Sequence, residues 1–168
     1  AILDVGTGKG RFAIFLASRG YRVLTGEPAS DQSQYAGQDW RKAAEQAGVL
    51  ENIRFQAFDA GSLPFTPASL DDVFFFGVLH HIEEDARRDV FRETLWATKP
   101  GGAVVFSEPT RGMIENLRVE DPEHPEAANP SAYLPETGAE SQTVTVETIP
   151  GTWMDIFLYR KSGRSQAT

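Results

Sequence analysis

Short apolar runs bounded by turn residues recur along the chain, at 1–5, 21–26, 53–58, 72–77 and 103–107. Val73-Phe74-Phe75-Phe76 is uninterrupted, as expected of a strand buried on both faces of a parallel sheet. Helical spacing fills the intervals. Phe12, Ile14, Phe15 and Leu16 predict a helix over 10–19, closed by Gly20. Tyr35, Ala36, Trp40, Ala43, Ala44 and Ala47 predict a second, capped by Ser30 or Asp31 and closed by Gly48. Val90, Phe91, Leu95 and Trp96 mark one face of a third over 85–98, which Lys99-Pro100-Gly101-Gly102 ends sharply. From 108 to 141 periodicity fades, apart from a short helix near 113–119. A segment of that length predicts an irregular insertion or lid over 110–141. Val144, Val146 and Thr148 then alternate with polar neighbours, and Pro150-Gly151 leads into a last run over 153–159, an antiparallel hairpin. Residues 164–168 read as a frayed tail.

Strand–helix alternation followed by a hairpin predicts an α/β fold. Its sheet is doubly wound and mostly parallel, with helices on both faces and an antiparallel end. Ligands of such sheets sit beyond the carboxyl ends of the strands. Gly6 to Gly10, Glu27, Asp59 and Gly77 all lie just past predicted strand ends.

The glycine turn narrows the chemistry. A dinucleotide turn of the form G-x-G-x-x-G would need glycine at position 11, which is Arg11. A phosphate loop needs Ser or Thr after its lysine, and Lys9 is followed by Gly10. What stands here is Asp4-Val5-Gly6-Thr7-Gly8-Lys9-Gly10, and it resembles motif I of the class I S-adenosylmethionine-dependent methyltransferases. On its own such a turn also fits other α/β proteins. Further stretches fit in order: Glu27, Phe58-Asp59-Ala60-Gly61-Ser62-Leu63-Pro64-Phe65, Leu70-Asp71-Asp72-Val73 through Leu79-His80-His81-Ile82, and Lys99-Pro100-Gly101-Gly102. Together they resemble the type 11 methyltransferase domain over 1–108, and the hairpin fits that family's last strands more weakly.

The resemblance implies a Rossmann-like seven-stranded sheet in the order 3-2-1-4-5-7-6, and S-adenosylmethionine as cofactor. It implies that Gly6, Thr7 and Gly8 pass under the methionine portion, with Gly10 completing the turn. Asp4 would face the ammonium group. Glu27, followed by Pro28 where a small residue is usual, would take the ribose hydroxyls. Asp59 and Ala60 would meet the adenine, and the backbone of Phe76 and Gly77 the methionine amino end. The side chains of Phe74, Phe75 and Phe76 are expected in the core. His81 is the candidate to orient or deprotonate the acceptor, with His80 and Glu108 nearby. Adjacent side chains point apart in regular conformations, so His80, His81 and Glu83 are not expected to form a metal site.

Composition sets outer bounds. The 168 residues suit a single domain over 1–168. The chain opens directly in a strand, which predicts a segment upstream of it in the intact protein. Cysteine is absent, which removes disulfides, thiolate ligands and the thiolate route to cytosine methylation. A net charge of -8 disfavours free nucleic acid as substrate. No apolar run approaches the length of a membrane span. The expectation is a cytoplasmic enzyme that methylates a small molecule, of unspecified oligomeric state. Two alternatives stand beside it: a methyltransferase fold kept as a binding or scaffold domain, and an NAD(P)-binding oxidoreductase.

Overall fold

The computed structural model describes residues 1–134 and 144–163. Its strands are β1 (Ile2–Val5), β2 (Val23–Gly26), β3 (Ile53–Phe55), β4 (Leu70–Phe76), β5 (Thr98–Pro109), β6 (Val144–Ile149) and β7 (Met154–Lys161). They form one seven-stranded sheet in the order β3-β2-β1-β4-β5-β7-β6. Pairings from β3 to β5 are parallel, and β7 runs antiparallel to both β5 and β6. The expected sheet order and antiparallel last strand are therefore observed. The described helices are α1 (Arg11–Ser18), α2 (Trp40–Gln46), α3 (Arg87–Ala97) and α4 (Arg111–Leu117).

The two faces of the sheet carry separate cores. Leu3, Val5, Val73, Phe75, Val104 and Phe106 alternate toward one face and pack with Val90 and Phe91 of α3 and with Tyr159. Val23 and Ile53 on the other face pack with Ala13, Leu16 and Ala17 of α1 and with Trp40 and Ala44 of α2. Removal of this apolar surface from water is the main favourable term in the fold. Gly20 and Gly48, expected to end helices, adopt φ of 89° and 70°.

Four details differ from the sequence reading. The second helix begins only at Trp40, because Asp31 accepts from the Ser33 N–H in a local turn and the Gly37 N–H is taken by Glu27. Trp96 is 44% exposed; Thr94 lies on the buried face instead, its hydroxyl bonded to the carbonyls of Val90 and Phe91. The 99–102 turn interrupts β5 without ending it: Leu70 pairs with Thr98 and Asp72 with Ala103, so the intervening residues bulge out of register. Phe75 is buried, as expected, but Phe76 is 46% exposed and stacks on Phe12 with ring centres 5.1 Å apart, so Phe76 is not a core residue.

The segment after β5 is more ordered through 134 than its composition suggests. Thr110 caps α4 by accepting from the Met113 N–H, and Ile114, His124 and Ala128 are buried. Residues 135–141 of the expected insertion, and the 164–168 tail, lie outside the described residues.

Candidate active site

Two groups of side chains stand at the carboxyl edge of the sheet. The first surrounds the turn after β1. Gly6 (φ 84°) and Gly10 (φ 68°) are in the left-handed region, and a Cβ on Gly6 would lie 2.5 Å from Val78 Cγ2. A Cβ on Gly10 would lie 2.7 Å from Trp40 Cβ, so its need for glycine comes from helix packing. Gly8 (φ 44°) faces freer space: a Cβ there would approach only the Tyr35 carbonyl oxygen, at 3.4 Å.

Glu27, just past β2, closes onto this turn. One carboxylate oxygen accepts from the Gly8 N–H at 2.9 Å and the other from the Gly37 N–H at 2.8 Å. A carboxylate has about four acceptor positions, so both oxygens retain capacity for hydroxyl donors. Pro28, half-buried, turns the chain by offering its carbonyl to the Asp31 N–H. The Phe58 N–H donates to the Glu27 carbonyl at 3.3 Å, which carries Asp59 to the same edge. Asp59 is exposed and holds the Gly61 N–H with one oxygen, while Ala60 is buried beneath it.

Below the turn, Asp4 is 1% exposed. It accepts from the Thr25 hydroxyl at 2.9 Å, and Thr25 Oγ1 lies 3.0 Å from Thr7 Oγ1. The other Asp4 oxygen, Oδ1, has no hydrogen-bond partner among the described residues. Burial pushes the carboxyl up to about 8, against a smaller opposing effect of the Thr25 bond. A cation or a donor at Oδ1 would relieve that desolvation. The donor set therefore fits a ligand with a cationic end over Asp4 and a diol over Glu27.

The second group lies across β4 and β5. The Gly77 N–H donates to the Ser107 carbonyl, and the following turn, Leu79–His81, faces the end of β5. Glu108, 1% exposed, accepts from the backbone N–H groups of Leu79 and His80 and lies 2.8 Å from His80 Nδ1. With all these bonds made inside the protein, Glu108 positions the histidine turn and is not free to act as a base. The rings of His80 and His81 lie 4.1 Å apart, contrary to the expectation that they diverge: the tight turn breaks the alternation of regular backbone. His124 joins them at 5.3 Å from His80 and 5.0 Å from His81. Its Nδ1 lies 3.0 Å from the Tyr35 hydroxyl and 3.1 Å from Asp121 Oδ2, and the Tyr35 hydroxyl donates to that same oxygen at 2.6 Å. The edge of the His81 ring is open to solvent, but its faces are packed. That desolvation, followed by the neighbouring His80 and His124, pushes His81 down to about 4. The ring is neutral near pH 7.

His124 was missed by sequence reasoning because it sits among acids and prolines with no motif around it. The available signal was scarcity: the chain has three histidines, and all of them meet here. A shallow depression of about 590 Å³ lined by Lys9, Arg11, Ile14, Gln38, Asp39 and Ala43 includes none of the acids above.

With this geometry in hand, the comparisons with known proteins can be read. A family profile described as a methyltransferase domain matches residues 2–102. Among curated proteins, the chain is 31% identical over 107 residues to a 27-O-demethylrifamycin SV methyltransferase of Amycolatopsis mediterranei, covering 64% of this chain and 38% of that protein. It is 35% identical over 107 residues to a tRNA 5-carboxymethoxyuridine methyltransferase of Escherichia coli, covering 61% and 38%. The chain thus spans well under half the length of these relatives. An O-methyltransferase family protein from Burkholderia thailandensis shares the fold with a TM-score of 0.69 at 12% identity, over 98% of this chain and 51% of that one.

Proposed function

The chain belongs to the methyltransferase domain family, within the class I S-adenosylmethionine-dependent methyltransferases, and on that premise we propose that it binds S-adenosylmethionine and directs its methyl group to a small-molecule acceptor. The observation that carries the reading is the contact between Glu27 and the Gly8 N–H, with the unpartnered Asp4 oxygen beneath it. This joins a diol acceptor, a turn of glycine backbone and a buried carboxyl into one cradle. When bound, the cofactor supplies a methyl already activated on a sulfonium, so the protein's tasks are alignment and exclusion of water. Asp4 would hold the ammonium group, Glu27 the two ribose hydroxyls, and Asp59 with the Ala60 N–H the adenine edge. Gly6, Thr7 and Gly8 would line the methionine portion, with the Phe76 and Gly77 backbone at its amino end. His81, neutral near pH 7, would meet the acceptor.

The rifamycin-directed relative supports a small molecule, and the net charge of -8 disfavours a polyanion, although one relative is named for a tRNA. No described helix is long and apolar enough to cross a membrane.

Titration calorimetry with S-adenosylhomocysteine and with NADH tests the cofactor. We expect binding of the first alone, and a loss of about ten- to a hundred-fold in Glu27→Ala. NADH binding without a response to S-adenosylhomocysteine would instead support an oxidoreductase. Cofactor binding without transfer to any acceptor would support a scaffold domain.

A further inference from the structure

We infer that His80, His81 and His124 form a binding site for one divalent transition metal ion, with Zn²⁺ the best-matched, at the acceptor side of the carboxyl edge. One potential ligand atom from each ring lies within 4.8 Å of the others, and this is the one such group of three among the described residues. In the two buried rings the second nitrogen is arranged as a metal site requires. His80 Nδ1 is engaged by the buried Glu108 carboxylate, which leaves Nε2 as its ligand atom. His124 Nδ1 is engaged by Tyr35 and Asp121, and its Nε2 is buried with no hydrogen-bond partner among the described residues. Ligating histidines characteristically give their second ring nitrogen to a carboxylate or similar group, which fixes the tautomer and the ring direction. Both buried histidines here do so. An unpaired buried nitrogen is costly, and a ligand-field bond at His124 Nε2 would remove that cost.

The donor set selects the metal. Three imidazoles suit Zn²⁺, Cu²⁺, Ni²⁺ or Fe²⁺ and not Mg²⁺ or Ca²⁺, which require oxygen ligands. Neutral ligands from three protein groups leave at least one open position, the arrangement of catalytic rather than structural zinc. Four-coordinate geometry with bonds near 2.0–2.1 Å needs nitrogens roughly 3.4 Å apart, so the rings must close by up to about 1.4 Å on binding. Resting on the methyl-transfer reading above, the open position would hold the acceptor through an oxygen atom, an alcohol, phenol or enol whose acidity the ion raises.

The test is titration of the metal-free chain with Co²⁺, read by the visible bands of a four-coordinate site, followed by displacement with Zn²⁺. One equivalent is expected, with a rise in Tm that Mg²⁺ does not produce. His81→Gln, at the one exposed position of the three, should abolish the four-coordinate spectrum. Glu108→Gln should weaken binding about 10–100-fold by freeing the His80 ring. Absence of a saturable Co²⁺ spectrum in the wild type, or an equal one in His81→Gln and His124→Gln, overturns the site and leaves the cluster as packed imidazoles. S-adenosylhomocysteine titration of the same samples keeps the two readings apart: cofactor binding without metal binding rejects the ion alone, and metal binding without cofactor binding rejects methyl transfer alone.

Discussion

The carboxyl edge is built in two different ways on its two sides. Around β1, β2 and β3, each candidate site residue lies in a strand or within five residues beyond its end, and the contacts are backbone to carboxylate: Gly8 to Glu27, Gly37 to Glu27, Gly61 to Asp59. Around β4 and β5, the site is made of side chains from remote segments, with His80 and His81 after β4, Glu108 at the end of β5, His124 beyond α4, and Tyr35 from the loop after β2. The first side depends on a fixed backbone. The second depends on how four segments settle together, and under the proposed function it is the side that would meet the acceptor.

The largest effect is expected where the first side leaves no room. A Cβ on Gly26 would lie 2.0 Å from the Gln56 carbonyl oxygen and 2.4 Å from a Phe58 ring carbon. Backbone in a paired sheet cannot retreat that far. Gly26→Ala should cost at least about 3 kcal/mol in urea unfolding and displace Glu27 next to it. If it folds with near-wild-type stability, the first side is more pliable than the contrast supposes.

Asp4 comes next. Unfolded, its carboxyl ionises near 3.8; folded, it keeps its proton to about 8. Between those values the native state binds the extra proton, so stability falls as pH rises, by at most about 1.4 kcal/mol per pH unit, and levels off above about 8. Wild type should lose about 3–4 kcal/mol between pH 5 and pH 8 from this group. Asp4→Asn should flatten that slope, measured by urea midpoints across the range, while weakening S-adenosylhomocysteine binding. An unchanged slope would show that Asp4 is better solvated than its 1% exposure implies.

The same contrast explains what the sequence disclosed. Asp4, the glycines, Glu27 and Asp59 could be read because strand ends are visible in apolar runs and the turn needs glycine at fixed spacing. The mostly parallel sheet with its antiparallel end followed from the same alternation, and its strand order was implied by the family resemblance. Long-range assembly left no such trace. His124 follows Asp121-Pro122-Glu123 and reads locally as solvated chain, yet it is 3% exposed. Tyr35 fits a helical spacing, but Gly37 and the turn at Asp31 divert the backbone, and the ring ends on His81 instead. Phe76 misled for a related reason: a run of three phenylalanines cannot say which ring finds a covered face.

The smallest effect probes the link between the two sides. Tyr35 places its carbonyl over Gly8 and its hydroxyl between Asp121 and His124. Tyr35→Phe keeps the carbonyl and the ring tilted against His81 but removes the hydroxyl. The loss should be modest, a lowering of Tm by about 2–4 °C, because water can reach Asp121 and replace part of the network. Its consequence should fall on the second side: the His124 ring loses one of the two groups that fix its direction and keeps Asp121, while S-adenosylhomocysteine affinity stays within about two-fold. Combining Tyr35→Phe with Glu27→Ala gives the decisive form of the measurement. Independent sites add within about 0.3–0.5 kcal/mol in a double-mutant cycle. Additivity in cofactor affinity would mean that the cradle and the histidine cluster meet through Tyr35 without being coupled by it. A larger interaction energy would make the loop after β2 the element through which cofactor binding arranges the acceptor side.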